Sequence, residues 1–369
     1  MKLLELEAIA ILELYGLRPN DGNIKATDYN GYDDQPHLID INHYLESREL
    51  RGEMNEQDKL AKRLLTRPSP LMLSKCLDIY FANHKKGSQE KFIKDTRKHW
   101  KSVNDILGNM ALDNITRKDA KNFIEKRSLQ VATGTVDREL SVIRAVINVV
   151  IRENELTIKN PFFEQTIPNL GNDTKVRKPF SMDELKVLIE ACLTKPNDVS
   201  NILLLCMLTG ARLSEICGLR RIDVSLDSEI PYLSLVEYNE RTLKTKNSKR
   251  LVPLVPIVVC AMQKHLASHA DAEVFTRYND GVNINNTSAS ASIKNFILKL
   301  GVKGKTTHNA RHTMRDLMSH ADIPPHIQDA IGGWGSNTIG ASYGTGYSLK
   351  QKFDALTKSL NPVLKYINS

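Results

Sequence analysis

Apolar residues recur at threes and fours along most of this chain, and that period commits it to helices. The clearest case is Val136, Leu140, Ile143, Ile147 and Val150, which fall on one face of an α-helix. Two runs read as strands, 231–238 and 250–259. The basic stretch ERTLKTKNSKR between them makes a hairpin with a Lys-rich tip. The expected class is therefore mostly α with a small antiparallel β-sheet, an α+β arrangement.

A chain of 369 residues should divide into domains of roughly 100–200 residues each. Residues 1–69 read as an N-terminal helical extension with no legible role. It comprises a helix from Leu4 to Tyr15, a polar Gly/Asn/Asp-rich stretch, and a charged helix from Asp40 to Leu65 that Pro68 and Pro70 bring to an end. Residues 70–163 read as a compact four-helix unit. Its helices run from Leu71 to His84, from Gln89 to Leu107, from a Thr116 cap with Asp119 three residues on, and through the periodic Val136–Val150 segment. The stretch 164–179 (EQTIPNLGNDTKVRKP) is rich in Pro, Gly, Asn and charge and reads as an interdomain linker. Residues 180–369 form the last unit, which opens with the capping box Ser181–Glu184.

Composition excludes several classes. The longest clean apolar run, Ile202 to Leu208, has seven residues, against roughly 18 for a bilayer span. The N-terminal MKLLELEAIAILELYG carries acids inside its apolar stretch and lacks a small-residue cleavage site, so it does not read as a signal peptide. Cys76, Cys192, Cys206, Cys217 and Cys260 are scattered and never form CxxC, which fits reduced, buried thiols and not a disulfide scaffold or zinc ribbon. The net charge of +8 points to a polyanionic partner, although a basic enzyme of any kind would share it. Between Lys75 and Lys101 there are eight Lys or Arg and three Asp or Glu. That run is either a solvated helix face or a surface for phosphates.

Three signals in the last unit carry chemistry. In TGARLSEICGLR, Arg212 starts a helix and Glu215 follows one turn on; alone, this is an ordinary i,i+3 pair. In HNARHT, His308 and Arg311 share a helix side. His308 and His312 have the spacing of a metal-ligand pair, but Asn309 stands where the Glu of HExxH would be. In IGGWGSNTIGASYGTGY, Trp334 precedes Tyr343 by nine residues among dense glycine, which reads as a mobile loop and not a packed element. A tyrosine there is either a surface residue or a nucleophile able to swing onto a substrate.

In their order and spacing these signals resemble the catalytic domain of the tyrosine recombinases, also called phage integrases, and the resemblance covers about residues 70–360. It implies a helical core-binding, SAM-like DNA-binding domain at 70–163 and a mixed catalytic domain at 180–369 with a C-terminal tail. Arg212 matches the first catalytic arginine and Glu215 its acidic support. Lys244 best matches the hairpin lysine, with Lys246 the close alternative. His308 and Arg311 match the His-x-x-Arg box. Trp334 holds a position that is usually His and sometimes Trp, and Tyr343 matches the nucleophile. Tyr347, thirteen residues after Trp334, fits that spacing poorly. The family's usual LGH reads IGGW here, and Ala310 replaces the Leu of its His box.

The chemistry has a physical logic. A DNA phosphodiester is an anion, and its pentacoordinate transition state is stabilised either by metal ions or by fixed cationic donors. The sequence offers two planar, permanently charged guanidinium groups and no carboxylate cluster for Mg²⁺. The resemblance implies cutting and rejoining of DNA through a covalent 3′-phosphotyrosine, without metal or ATP cofactors. It implies double-stranded DNA attachment sites and self-association to a tetramer on DNA, with accessory DNA-bending proteins as further partners and no membrane. The setting it implies is the cytoplasm of a bacterial host, integrating or excising a prophage or mobile element. A type IB topoisomerase, a DNA-binding protein that has lost catalysis, and a zinc hydrolase built on His308 and His312 are the competing readings.

Overall fold

The computed structural model describes residues 3–19, 36–65, 70–174, 177–238, 241, 248–268, 270–335 and 346–368. Lys244, Lys246 and Tyr343 fall outside the described residues. Two compact units meet at Thr174/Lys175.

The first unit holds two hydrophobic cores. One belongs to α1 (Leu3–Leu14), α2 (Pro36–Leu50) and α3 (Glu56–Leu65), where Leu12, Ile41, Leu45 and Leu65 are buried. The single helix expected over 40–65 is broken in two. Gly52 sits at φ +70, a conformation that suits glycine and ends a helix. Asn55 and Asp58 then exchange side-chain and backbone bonds at the start of α3. The other core is built by α4 (Leu73–Ala82), α5 (Glu90–Leu107), α6 (Arg117–Ser128) and α7 (Thr133–Glu153). Trp100, Phe123, Leu140, Ile143 and Ile147 lie at its centre. Thr116 and Asp119 form the reciprocal capping box that starts α6. The basic residues of the Lys75–Lys101 run are all exposed. The stretch 164–173 packs on this unit, with Ile167 in the core and Asp173 accepting from the Thr133 backbone and hydroxyl.

The second unit wraps helices around α9 (Asp198–Thr209), whose residues Val199–Thr209 are all buried. A helix apolar on every side must be a core element. Around it pack α8 (Met182–Thr194), α10 (Leu213–Cys217), α11 (Pro256–Ala267), α12 (Asn286–Lys299) and α13 (Thr307–His320). A three-stranded antiparallel sheet runs in the order β1 (Val224–Ser225), β2 (Tyr232–Leu235), β3 (Arg250–Pro253). Leu235 pairs with Arg250 and Tyr232 with Pro253. The strand expected over 250–259 therefore stops early. Pro256 takes the first turn of α11, and the β-branched residues Ile257, Val258 and Val259 continue as helix. The short β1 had no signal in the sequence.

Two last helices complete the unit, α14 (Pro325–Gly332) and α15 (Leu349–Asn368). Ala355, Leu356, Leu360 and Val363 of α15 enter this unit's own core. Lys352 donates to the Leu251 carbonyl of β3 at 2.7 Å. The amphipathic tail thus packs intramolecularly. No helix among the described residues is long and apolar enough to cross a membrane.

Trp100 is 1% exposed, so Trp100→Ala should cost about 3–5 kcal/mol of stability. A lowered urea midpoint for the far-UV signal of the first unit checks it; an unchanged midpoint would contradict the packing described.

Candidate functional site

Three short connections of the second unit converge on the residues singled out by the sequence. The first follows α9. Gly210 ends that helix at φ +67, in the left-handed region, and a Cβ there would stand 3.1 Å from Met314 Cγ. Glycine alone lets the chain turn this tightly. Arg212 then becomes the N-cap of α10 and Glu215 lies in its first turn. The second connection is the start of α13, where Thr306 is the N-cap and Asn309 completes the box. His308 is exposed in that first turn, and Arg311 is buried one turn later. The third is the end of α14, capped by Gly333 at φ +64, with Trp334 directly after it.

Glu215 is the hub, at 2% exposure. Its Oε1 accepts from Arg212 Nη1 at 2.6 Å, and its Oε2 accepts from the Arg212 backbone N–H at 2.9 Å. Arg250 grips both oxygens, Nη1 to Oε1 at 3.2 Å and Nη2 to Oε2 at 2.9 Å. Burial pushes the Glu215 carboxyl up, but the Arg250 charge and the bonds from both arginines outweigh it and hold the group below its ordinary value.

Arg212 extends from this hub. Its Nη1 also donates to Ser248 Oγ at 2.9 Å, and its Nη2 to the Gly333 carbonyl at 2.9 Å. Arg311 reaches the same turn from the other helix. Its Nη1 donates to the carbonyls of Gly210, at 2.7 Å, and Gly332. Its Nη2 is buried and, among the described residues, has no hydrogen-bond partner. Burial, and then the charges of Arg212 and Arg250, push the Arg311 guanidinium down to about 9. A guanidinium this disfavoured, with an unmet donor, asks for an anion.

Trp334 closes the third side. Arg311 Cζ stands 4.3 Å and Arg315 Cζ 4.8 Å from its ring centre. Arg315 also pairs with Asp329 at 3.2 Å. Gly332 and Gly333, just before the tryptophan, are packed, contrary to the expectation of a mobile loop. A Cβ on Gly332 would lie 1.9 Å from Trp334 Cζ3, and one on Gly333 would lie 2.6 Å from Arg250 Nη1. Here glycine serves close approach, not flexibility. That correction holds for Gly332 and Gly333; a Cβ on Gly335 would meet nothing within 4 Å, and residues 336–345, with Tyr343, lie outside the described residues. Tyr347, the competing tyrosine, stacks on His326 at 5.2 Å between ring centres.

The structure thus brings Arg212, Glu215, Arg311 and Trp334 together and sets His308 one turn from Arg311. The rings of His308 and His312 meet edge to face at 6.0 Å. No group of three or more His, Cys, Asp or Glu suited to a metal occurs among the described residues. Sequence reasoning missed Arg250, Ser248 and Arg315. Strand alternation held the signal for Arg250, because it shares the inward face of β3 with the fully buried Val252.

Glu215→Gln keeps the shape and removes the charge that the Arg212 and Arg250 guanidinium groups hold. Loss of one partner of a buried pair should cost about 3–5 kcal/mol at neutral pH. The carboxyl is held below its ordinary value of 4.5, so its stabilisation is complete above that value and fades as pH falls through the lowered one. Melting curves should show a constant gap between wild type and variant from about pH 7 to pH 5, closing in stronger acid. A gap that widens in acid would contradict this.

Comparison with known proteins places this geometry. Residues 178–345 match the model of the phage integrase family. A tyrosine recombinase of Thermosipho africanus is 23% identical over 281 residues, covering 74% of this chain and 94% of that protein. The transposase from transposon Tn916 of Enterococcus faecalis is 27% identical over 265 residues, 65% of each chain. A lambda integrase tetramer bound to a Holliday junction superposes with a TM-score of 0.59 at 16% identity, over 86% of this chain and 93% of that one. The match falls on the unit that carries the arginine cluster, and that unit is similar to the tyrosine recombinases, or phage integrases.

Proposed function

We propose that the chain is a site-specific DNA recombinase that integrates or excises a mobile element. The observation that carries this reading is the buried Nη2 of Arg311, which has no hydrogen-bond partner among the described residues, in a cluster with Arg212. It is a positively charged donor left for an anion such as a phosphodiester.

In this reading Arg212 and Arg311 hold the two non-bridging oxygens of the scissile phosphate. Their charge answers the negative charge that grows in the pentacoordinate transition state. Trp334 packs against Arg311 and adds an indole N–H donor that does not titrate. The Tyr343 hydroxyl must lose its proton to attack. His308, exposed one turn before Arg311, accepts or relays that proton. The tyrosine oxygen bonds to phosphorus, the bond from phosphorus to the 5′ oxygen breaks, and Lys244 protonates the departing 5′ oxygen. The 3′-phosphotyrosine conserves the bond, so a 5′ hydroxyl from another strand can reverse the step. With fixed guanidinium groups neutralising charge, the scheme calls for neither a metal ion nor ATP.

The substrate in this reading is duplex DNA carrying attachment sites, and strand exchange between paired sites calls for a tetramer. The lambda integrase tetramer on a Holliday junction and the Tn916 transposase support that choice. The exposed basic run 75–101 supplies sequence-independent phosphate contacts. Accessory DNA-bending proteins assist pairing, and the setting is the cytoplasm of a bacterial host.

A nicked suicide duplex, incubated in EDTA and resolved on a denaturing gel, tests the reading. Wild type should form a covalent adduct that Tyr343→Phe abolishes and Tyr347→Phe leaves intact. Arg311→Ala should slow adduct formation by at least about 10²-fold. An adduct lost only in Tyr347→Phe would move the nucleophile. Lys244→Ala should be rescued when sulfur replaces the leaving 5′ oxygen, because a thiolate departs without a proton. Rescue confined to Lys246→Ala would assign the acid to Lys246.

A further inference from the structure

Arg250 has no part in the scheme above, yet its side chain bonds Glu215 and Ser248, both of which also hold Arg212. Its side chain is 5% exposed. Nη1 and Nη2 span the Glu215 carboxylate. Nη1 also donates to the Ser248 carbonyl at 2.8 Å, and Nε donates to the Ile331 carbonyl at 2.7 Å. Arg212 bonds to Glu215 Oε1, Ser248 Oγ and the Gly333 carbonyl. Arg250 therefore holds two of the three residues that anchor Arg212, Glu215 and Ser248, and the carbonyl of Ile331 two residues before the third.

Charge makes the same point. Glu215 with Arg212 alone would be a neutral pair, and the carboxylate would compete with a phosphate for the guanidinium. Arg250 takes both carboxylate oxygens and adds a positive charge, so the cluster with Arg311 keeps a net positive field for an anion. Gly333 shows how closely the parts fit, since a Cβ there would stand 2.8 Å from Arg250 Cζ.

We infer that Arg250 is a positioning residue for Arg212: it binds Glu215, Ser248 and the end of α14 so that the Arg212 guanidinium faces the scissile phosphate with its charge uncancelled. This rests on the reading of Arg212 as a phosphate ligand.

The test is single-turnover cleavage of the suicide duplex by the full chain, saturated with protein. Wild type, Arg212→Ala, Arg250→Met and Arg250→Lys each meet a normal scissile phosphate and a charge-neutral methylphosphonate. Duplex affinity and melting temperature are measured in parallel. Arg250→Met should cleave the phosphodiester about 10²-fold slower than wild type while its duplex affinity stays within about threefold. On the methylphosphonate its defect should shrink in step with that of Arg212→Ala, because no anionic charge remains to be met. Arg250→Lys keeps the charge but cannot bridge both carboxylate oxygens, and should fall between Arg250→Met and wild type. A defect of Arg250→Met equal on both substrates would mark a merely structural role and overturn the inference, as would cleavage at the wild-type rate. If Arg250→Met fails to fold, Arg250→Lys decides: a rate equal to wild type, or a defect unchanged on the methylphosphonate, overturns the inference. Failure of wild type itself to form an adduct would defeat the recombinase reading instead.

Discussion

A single buried carboxylate organises the second unit's site. Glu215 is enclosed at 2% exposure, where an unpaired negative charge would be untenable. It is held by the Arg212 guanidinium and backbone N–H on one side and by the two-pronged Arg250 on the other. From these four bonds the rest of the geometry follows. Arg250 reaches the end of α14, Arg212 reaches Gly333, and Arg311 reaches both Gly210 and Gly332. Three loops distant in sequence are tied by carbonyls and guanidinium groups, and the tie leaves an excess of positive charge at its centre.

That excess is the chemical resource. Protein carbonyls satisfy one arm of Arg311, while its buried Nη2 has no partner among the described residues. Crowding by Arg212 and Arg250 and loss of water depress its affinity for a proton. In the proposed reaction, an arriving phosphate diester would relieve both penalties at once, and a transition state with more charge would relieve them further. The stacked Trp334 keeps the guanidinium plane in place, and packed Gly332 lets it come that close. Lys352 fixes α15 to β3.

Local devices were legible in the sequence because their partners lie within one turn. The Thr116–Asp119 and Ser181–Glu184 boxes, the periodic α7, and the Arg212–Glu215 and His308–Arg311 spacings all act over three or four residues. What escaped depends on distant partners. Arg250 meets Glu215 across 35 positions and Ile331 across 81, so its strand register hinted at burial but could not name its contacts. Ile257, Val258 and Val259 read as strand until Pro256 and the buried Val258 set them in α11. Gly332 and Gly333 read as flexible, because a sequence does not reveal that a tryptophan ring and an arginine lie against them. The helix break at Gly52 was the one local feature overlooked, and its positive φ explains it.

The measurement that bears most directly on this account is a crystal structure of the full chain trapped as its covalent adduct on a nicked duplex. The account places one non-bridging phosphate oxygen on Arg311 Nη2, with Nη1 still on the Gly210 and Gly332 carbonyls, and another on Arg212 while Glu215 remains bridged to Arg250. A phosphate seated away from both guanidinium groups, or an Arg311 Nη2 turned onto a protein acceptor, would contradict it.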